Sequence, residues 1–459
     1  MKTNQQFLQH LYLRAGFGEP HSIIHQNINK PLTQVVETIL QDAQTFPSLS
    51  VKYIPTFRRG KGKGNGKMIR QQNKSFIKEI NLTWFWEMAH SKAFLREKMA
   101  LFWRDHFASK NRHPALVQQQ INTLRQLSLG NFGDLLLALS KDTVMLAFLN
   151  NQQNRKVQPN ENFARELLEL FTLGIGHYSE TDVKEAARAF TGWAFDEEGK
   201  FRFNKRQHDF GQKTFLGKTG NWNGEDIIHI LLEQKQTAYY LCSKFYQYFV
   251  NPQADESKIQ ELADYFYQSN YDISGLLYKI FTADWFYEKQ HIGVKIKSPI
   301  EYLVGLCRTL HLRFEDDEIL IFLQKALGQV LLAPPNVAGW TSNQGWIDSS
   351  TLLFRLRMGA FLFSAKDIDF ETKDRGDINA IFRSVKKFEK AKVRPNWEQL
   401  QQDFKGIKSA DLAETLANYL LQNSISLSLI QPQIETQNRK ETIKKIIENL
   451  LSLPEYQLC

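Results

Sequence analysis

Cysteine is scarce in this sequence, and the motifs of several common chemistries are missing. Only Cys242, Cys307 and Cys459 occur in 459 residues, without metal-type spacing. An odd and sparse set argues against a disulfide framework. The sequence also lacks a P-loop, a nucleophile elbow, an HExxH motif and a dinucleotide fingerprint. No nucleotide-binding, α/β-hydrolase or zinc-protease class is therefore indicated by motif.

Long apolar runs are missing as well. No stretch reaches the roughly 18 apolar residues of a membrane-spanning helix. The N-terminal sequence MKTNQQFLQHLYLRAGFG contains neither the apolar run nor the small-residue cleavage site of a signal peptide. For the sequence as written we expect a soluble, cytoplasmic protein without a membrane span.

The composition is that of a chain with a large core and a local excess of positive charge. Hydrophobic residues make up 42% and aromatic residues 12% of the sequence, which is enough for a sizeable core. Much of the formal net charge of +9 lies in the acid-free segment 58–74, RRGKGKGNGKMIRQQNK. We predict a mobile, solvated basic loop. The alternative is an electrostatic arm for nucleic acid, acidic glycan or anionic lipid, although aromatic residues for base stacking are missing.

The central segment 159–193 predicts two helices joined by a turn. Pro159 and the capping residue Asn160 place the first helix start at Glu161, and Gly174 supplies its end. Ser179, with an acidic residue three positions later, predicts a second helix that ends at Gly192. At helical spacing the polar residues of the first helix share one side, namely Glu161, Asn162, Arg165, Glu166 and Glu169.

Two interpretations of this acidic, Arg-containing face remain open. It is a solvated surface in which Arg165 and Glu169 form an i,i+4 ion pair, or it is a polar site. The face contains an amide, a guanidinium and carboxylates but no lysine, which a surface selected for solubility would normally include. This composition favours the site only mildly.

Further candidate residues lie in aromatic and glycine-rich stretches. Asp105 and His106 are notable in FWRDHF, where His106 is either a packing residue or a general base or metal ligand oriented by a carboxylate. His208 lies in the glycine-rich stretch HDFGQKTFLG, from which a loop would bring it toward the acidic face. Trp340 and Trp346 of the rigid loop APPNVAGWTSNQGW either line a pocket for a ring-bearing ligand or anchor the loop in the core.

The chain as a whole predicts a mainly α protein. We expect a large multi-helix globular fold with a small β-hairpin or glycine-rich excursion near 200–220, the hairpin covering 201–217. A main helical domain over 1–365 would be followed by a helical appendage over 366–459 packed on it.

Several segments resemble the domain of unknown function 1800 family of bacteria. They occur in the family's order, cover most of the chain, and are LYLRAGFG (11–18), EKMALFWRDHF (97–107), NENFARELLELFTLG (160–174), YSETDVKEAARAFTGW (178–193), HDFGQKTFLG (208–217), IKSPIEYLVG (296–305) and LLAPPNVAGWTSNQGWIDSSTLLFR (331–355). The resemblance gives His106 and His208 added weight. It also implies export, should the start be misassigned, and a partner of the domain of unknown function 1501 family, which resembles sulfatases and alkaline phosphatases.

Two functional hypotheses follow. The first is an enzyme or ligand-binding protein that acts on a polar or anionic substrate, with hydrolysis or lyase chemistry as the analogy and no cofactor or metal identified. Its catalytic residues would be His106, Glu166, Glu169 and Arg165, and its substrate-binding residues would be Asn162, His208, Trp193 and Trp340. The second is a non-catalytic accessory protein for the sulfatase-like partner.

Overall fold

The fold is mainly α, as the sequence predicts, and its strands are short. The structure, a computed structural model, describes residues 4–52, 65–314, 316–364, 393–430 and 438–459. The helices up to the central segment are α1 (Gln5–Ala15), α2 (His21–Asn27), α3 (Leu32–Asp42), α4 (Asn65–His90), α5 (Phe94–His106), α6 (Pro114–Leu127), α7 (Phe132–Ser140), α8 (Thr143–Phe148), α9 (Asn162–Glu166) and α10 (Glu180–Ala189). A π-helical stretch, Leu167–Thr172, continues α9.

The second half of the chain adds further helices and short 3₁₀ turns. The helices are α11 (Gly224–Leu232), α12 (Lys235–Phe249), α13 (Glu256–Gln268), α14 (Ile273–Thr282), α15 (Pro299–Leu310), α16 (Asp317–Ala326), α17 (Ser349–Ser364), α18 (Trp397–Asp403), α19 (Leu412–Leu420) and α20 (Arg439–Leu451). The 3₁₀ turns are Asn151–Gln153, Asp284–Tyr287, Lys289–His291, Asn343–Trp346, Ser409–Asp411, Leu427–Leu429 and Pro454–Gln457. Within the described residues, no helix is long and apolar enough to cross a membrane.

The strands form three antiparallel pairs. β1 (Trp193–Phe195) pairs with β2 (Phe201–Phe203), β3 (Lys213–Phe215) with β4 (Lys218–Gly220), and β5 (Leu312–Phe314) with β6 (Val393–Pro395). The hairpin predicted over 201–217 is therefore two hairpins. The first begins earlier, because the strand that pairs with β2 starts at Trp193, the last residue of the central segment.

Capping residues fix the starts of α10, which the sequence predicts at Ser179, and of α15. Ser179 and Asp182 form a capping box at the start of α10, and Ser298 and Glu301 form another at the start of α15. In each box the hydroxyl and the carboxylate bond reciprocally to main-chain N–H groups that would otherwise lack partners. Gly174 has a φ of +83° and ends the first helix of the central segment in the left-handed conformation that glycine adopts most readily.

The predicted basic loop lies partly outside the described residues. Residues 58–64 are not among them. Residues 65–74 are helical rather than a loop, because they form the first turns of α4. Further along, this helix packs on α5 and α6 and contains buried residues such as Trp84 and Met88. The glycine content of 58–74 predicts a loop, but residues 65–74 continue a helix that the core stabilises.

The chain after residue 393 packs on the earlier helices. α20 packs along α17 and α19, and α19 contacts α1. Arg14 of α1 donates hydrogen bonds to the main-chain carbonyls of His291 and Cys459. The predicted division near residue 365 falls within 365–392, outside the described residues.

Charged residues are buried inside the helical core as well as on its surface. On α5 the carboxylate of Glu97 accepts hydrogen bonds from both Nε and Nη2 of Arg125, at 2.7–3.0 Å, and from the indole N–H of Trp84 at 2.9 Å. Both charged side chains are fully buried. The next residue of the helix, Lys98, is buried as well and extends toward α15.

Candidate functional site

A cavity of about 450 Å³ opens between α5, α12, the start of α15 and the tryptophan-containing loop after α16. This volume falls in the range of small-molecule sites. Polar, charged and aromatic groups line it together, including Phe102, Asp105, His106, Lys244, Tyr248, Lys295, Ser298, Glu301, Trp340, Asn343 and Trp346. A mixed lining of this kind binds one part of a ligand by contact area and orients the rest by hydrogen bonds.

Asp105 joins the last turn of α5 to the tryptophan loop. Its Oδ1 accepts a hydrogen bond from the main-chain N–H of Trp340 at 2.6 Å. Gly339 has a φ of +86°, and a Cβ at this position would overlap Asp105. Burial raises the pKa of the Asp105 carboxyl to about 6, partly opposed by the Trp340 hydrogen bond and the charge of Lys244. The carboxylate is therefore poised to exchange a proton near neutral pH.

His106 is held between the central segment and α12. Its Nε2 lies 3.1 Å from the carbonyl oxygen of Phe171, and its Nδ1 lies 3.3 Å from Nζ of Lys244. Burial and the neighbouring Lys244 charge hold its pKa well below 6.5. The ring is thus neutral at pH 7, with Nε2–H donating to Phe171 and Nδ1 free to accept.

Lys244 of α12 brings its ammonium group to the same wall. Nζ donates to the carbonyl oxygen of Leu170 at 3.2 Å and lies 4.7 Å from the centre of the Tyr240 ring. The carbonyls of Leu170 and Phe171 belong to the last turn of the π-helical stretch, where helix carbonyls lack intrahelical partners and attract cations. Burial lowers the pKa of Lys244 to about 8, while Asp105 opposes the change.

A second group of charges lies at the start of α15. Oε1 of Glu301 accepts hydrogen bonds from Lys98 at 2.5 Å and Lys295 at 2.8 Å. Burial opposes ionisation of Glu301, but the two ammonium groups more than offset it and hold its pKa well below the usual range. The ring of Tyr248 lies between these lysines, with Lys295 Nζ 4.6 Å from its centre. The group carries a net charge of about +1 next to the cavity.

Of the residues predicted for the site, His106 and Trp340 line this cavity. Arg165 pairs instead with Glu161 at 3.1 Å and, across the turn, with Glu180 at 2.8 Å. Its predicted partner Glu169 accepts a hydrogen bond from the Tyr178 hydroxyl at 2.8 Å. The i,i+4 pairing of Arg165 with Glu169 is therefore wrong, because the π-helical stretch, which has more residues per turn than an α-helix, begins between them.

The other polar residues of the acidic face are also outside the cavity lining. Asn162 donates to the carbonyl of Leu149. Glu166 is half-buried, and its pKa is raised first by this burial and second by the neighbouring charge of Glu169. The first helix of the central segment therefore contacts His106 through the main-chain carbonyl of Phe171, and not through the carboxylates of Glu166 or Glu169.

His208 and Trp193 pack in the region of the β1–β2 hairpin. Nδ1 of His208 lies 2.8 Å from the carbonyl oxygen of Thr191, and its ring is flanked by Phe203 and Phe210. Trp193 is buried against Phe190 and Phe201. Neither residue lines the cavity.

Asp105 is notable in the sequence as the carboxylate beside His106 in FWRDHF, although it is not among the predicted site residues. Lys244, Lys295 and Glu301 are not predicted for the site either. Lys244 gave no signal, because a lysine in the helical segment SKFYQYF looks like an ordinary surface residue. Among the residues that the structure describes, no group of three or more His, Cys, Asp or Glu side chains is placed to hold a metal ion.

Fold and cavity together define a large, mainly α protein with a polar, aromatic-lined cavity of ligand size. Residues 10–458 match the family described as "Protein of unknown function (DUF1800)", and the chain belongs to this family. Comparisons with curated proteins and with solved structures find no match.

Proposed function

We propose that this protein binds a small polar molecule with an anionic group in the His106 cavity and performs acid–base chemistry on it. The observation that carries the proposal is the meeting of Asp105, His106 and Lys244 at one wall of a cavity lined by Trp340 and Trp346. Titratable groups with pKa values displaced toward neutrality, gathered in a concave site, are characteristic of catalytic and binding centres.

The charges favour an anionic ligand. Lys244 donates only to neutral acceptors, the Leu170 carbonyl and the imidazole of His106, so its positive charge is not cancelled by direct contact. Lys295 and Lys98 share the single carboxylate of Glu301. A ligand carboxylate or phosphate would supply the negative charge that these ammonium groups lack, and the indoles would contact its apolar or ring-bearing part.

Each polar group then has a definite role. Lys244 anchors the anion and donates a proton, and Asp105 accepts one. His106 remains neutral and orients the Lys244 ammonium through Nδ1. Their pKa values of about 6 for Asp105 and about 8 for Lys244 leave the first ionised and the second protonated at pH 7. This is the arrangement that proton transfer between a base and an acid requires.

A ligand screen with paired variants tests the site. Small carboxylates, phosphates and sugar acids would be tested for thermal stabilisation of the wild type, Lys244→Met and Glu166→Gln. We expect Lys244→Met to weaken binding by at least about 30-fold, which corresponds to roughly 2 kcal/mol for a lost buried charge contact. Glu166→Gln, on the acidic face, should leave binding unchanged.

The opposite pattern of binding by the two variants would indicate a ligand site on the acidic face. Loss of binding in Glu166→Gln with retention in Lys244→Met would contradict a ligand site in the cavity and favour the site that the sequence predicts at Arg165, Glu166 and Glu169. A wild type that responds to no ligand in the screen would favour the accessory-protein hypothesis.

Binding should also depend on pH in a direction fixed by Lys244. As the pH rises through about 8, the ammonium loses its proton, so affinity for an anion should fall by up to about tenfold per pH unit. Lys244→Arg keeps the positive charge at every accessible pH. Titration calorimetry between pH 7 and 10 should show a steep fall in the wild type and a smaller one in Lys244→Arg, in which only the loss of the Lys98 proton, at a pKa of about 8, remains. A wild-type affinity that does not change across this range would remove Lys244 as the anion anchor.

A further inference from the structure

Two β-turns lie side by side on the surface next to the β1–β2 hairpin, away from the cavity lining. In the turn 155–158 the N–H of Gln158 donates to the carbonyl of Arg155 at 2.9 Å. In the turn 204–207 the N–H of Gln207 donates to Asn204 at 3.0 Å. The N–H of Lys156 donates to the carbonyl of Gln207 at 2.8 Å and joins the turns. We call residues 155–158, 203–207 and 210 the paired-turn surface.

Apolar side chains on this surface are unusually exposed. Val157, at the tip of the first turn, is 84% exposed, while Phe210 is 56% and Phe203 38% exposed. The two phenyl rings flank the buried ring of His208, with ring centres 5.0 Å (Phe203) and 4.6 Å (Phe210) from it. Packing against His208 holds both rings at the surface. Solvent-facing apolar groups held in fixed positions are typical of interaction sites.

Positive charge surrounds these apolar groups. Arg155, Lys156, Lys205 and Arg206 are all exposed, and none forms an ion pair within the described part of the chain. The nearest carboxylate along the chain, Asp209, is bound to Arg188 at 2.7 Å. The acidic residues 196–198 lie at the opposite end of the β1–β2 hairpin. The paired-turn surface therefore presents four cations and three apolar side chains without a compensating acid.

We propose that the paired-turn surface docks on an anionic lipid bilayer. Basic side chains are attracted to the negative surface potential, and exposed apolar side chains beside them enter the headgroup region. Single-stranded nucleic acid is the competing anion, but base stacking uses aromatic faces, and Val157, the most exposed of the three apolar groups, has none. The combination of aliphatic, aromatic and basic groups favours the bilayer.

The test is sedimentation of the full chain with vesicles. We expect binding to vesicles of equal parts phosphatidylglycerol and phosphatidylcholine, weakened by added salt, and none to phosphatidylcholine alone. The triple variant Lys156→Gln, Lys205→Gln and Arg206→Gln should bind about a hundredfold more weakly, at roughly fivefold per cation. Val157→Ser with Phe210→Ser should weaken binding by about tenfold or more without a change in charge.

A matched control removes three exposed lysines elsewhere, with Lys235→Gln, Lys289→Gln and Lys408→Gln, and should bind like the wild type. Circular dichroism would establish that every variant is folded. Equal loss in the control triple variant, or no binding by the wild type, would overturn the proposal. So would binding of a single-stranded oligonucleotide that depends on Phe210 when vesicles are not bound. None of these outcomes bears on ligand binding in the cavity.

Discussion

Replacing Glu97 by leucine is expected to lower the free energy of unfolding by about 3–5 kcal/mol. The variant removes the carboxylate that accepts the hydrogen bonds of Arg125 and Trp84, at 2.7–3.0 Å, in a fully buried setting. The guanidinium would then stay buried with far less compensation, and the leucine could not accept from the indole. Urea denaturation of the wild type and the variant at pH 7 measures the difference.

The double variant Glu97→Leu with Arg125→Met separates loss of pairing from loss of packing. Exchange of a buried ion pair for apolar residues of similar volume is often close to neutral, so the double variant should regain most of the stability. Arg125 also donates to the carbonyl of Pro47, and Trp84 still lacks its acceptor, so recovery should stop short by about 1–2 kcal/mol. A double variant less stable than Glu97→Leu would show that the shape of the pair matters more than its charge.

Local signals made much of the helical frame predictable. Ser298, Pro299 and Glu301 predict the start of α15, and all three occupy the expected capping positions. The helical spacing of Cys242, Phe245, Tyr246 and Phe249 predicts an apolar stripe, and all four residues are buried on α12. These features depend on residues within one or two turns of each other, so the sequence contains the information directly.

The cavity depends on contacts between distant parts of the chain. Lys244 lines the cavity only because α12 packs against α5 and the end of the π-helical stretch, which brings its Nζ to His106, 138 positions earlier. Periodicity places a residue on a face of its own helix but does not say which helix end that face meets. His106 became a candidate through the family resemblance of FWRDHF, because a histidine among aromatic residues is by itself more often a packing residue. The assignment of Lys244 needed the tertiary fold.

Periodicity also fails to predict the contacts of the acidic face. Helical spacing places Arg165, Glu166 and Glu169 together, but the spacing assumes an ideal α-helix. The stretch Leu167–Thr172 is π-helical, and Arg165 has a partner, Glu180, on the following helix. Neither the change of helix type nor the partner from α10 follows from the periodicity of the segment.

Replacing Glu301 by glutamine should destabilise the protein by about 3–5 kcal/mol at pH 7. Lys98 and Lys295 both donate to this carboxylate, and Lys98 is buried. With a neutral amide in its place, one lysine would give up its proton on folding. Removing the proton of one lysine costs at most roughly 4.6 kcal/mol at pH 7. The figure is about 1.36 kcal/mol per pH unit, multiplied by the difference between pH 7 and an unperturbed lysine pKa near 10.4.

The destabilisation by Glu301→Gln should depend on pH in a direction that the pKa of Lys98 determines. Burial lowers the pKa of Lys98 to about 8 in the folded protein, with Glu301 opposing the change. The folded state then binds fewer protons than the unfolded chain between about pH 8 and 10.4, and stability rises with pH in this interval. Without the Glu301 charge, the folded pKa of Lys98 should fall further, so the interval should begin at a lower pH. The stability difference between wild type and variant should therefore shrink as the pH rises.

A matched control isolates the charge from the helix cap. Glutamine can still accept the main-chain N–H of Ser298, which donates to Glu301 at 2.7 Å, so the capping box of α15 remains. In α11, Asp226 occupies the same capping position and accepts from the N–H of Asn223 at 2.8 Å, but it forms no ion pair within the described residues. Asp226→Asn should therefore cost less than about 1 kcal/mol, with no shift in pH dependence. Equal losses in the two variants would mean that Glu301 acts as a helix cap and that the buried ammonium groups do not depend on its charge.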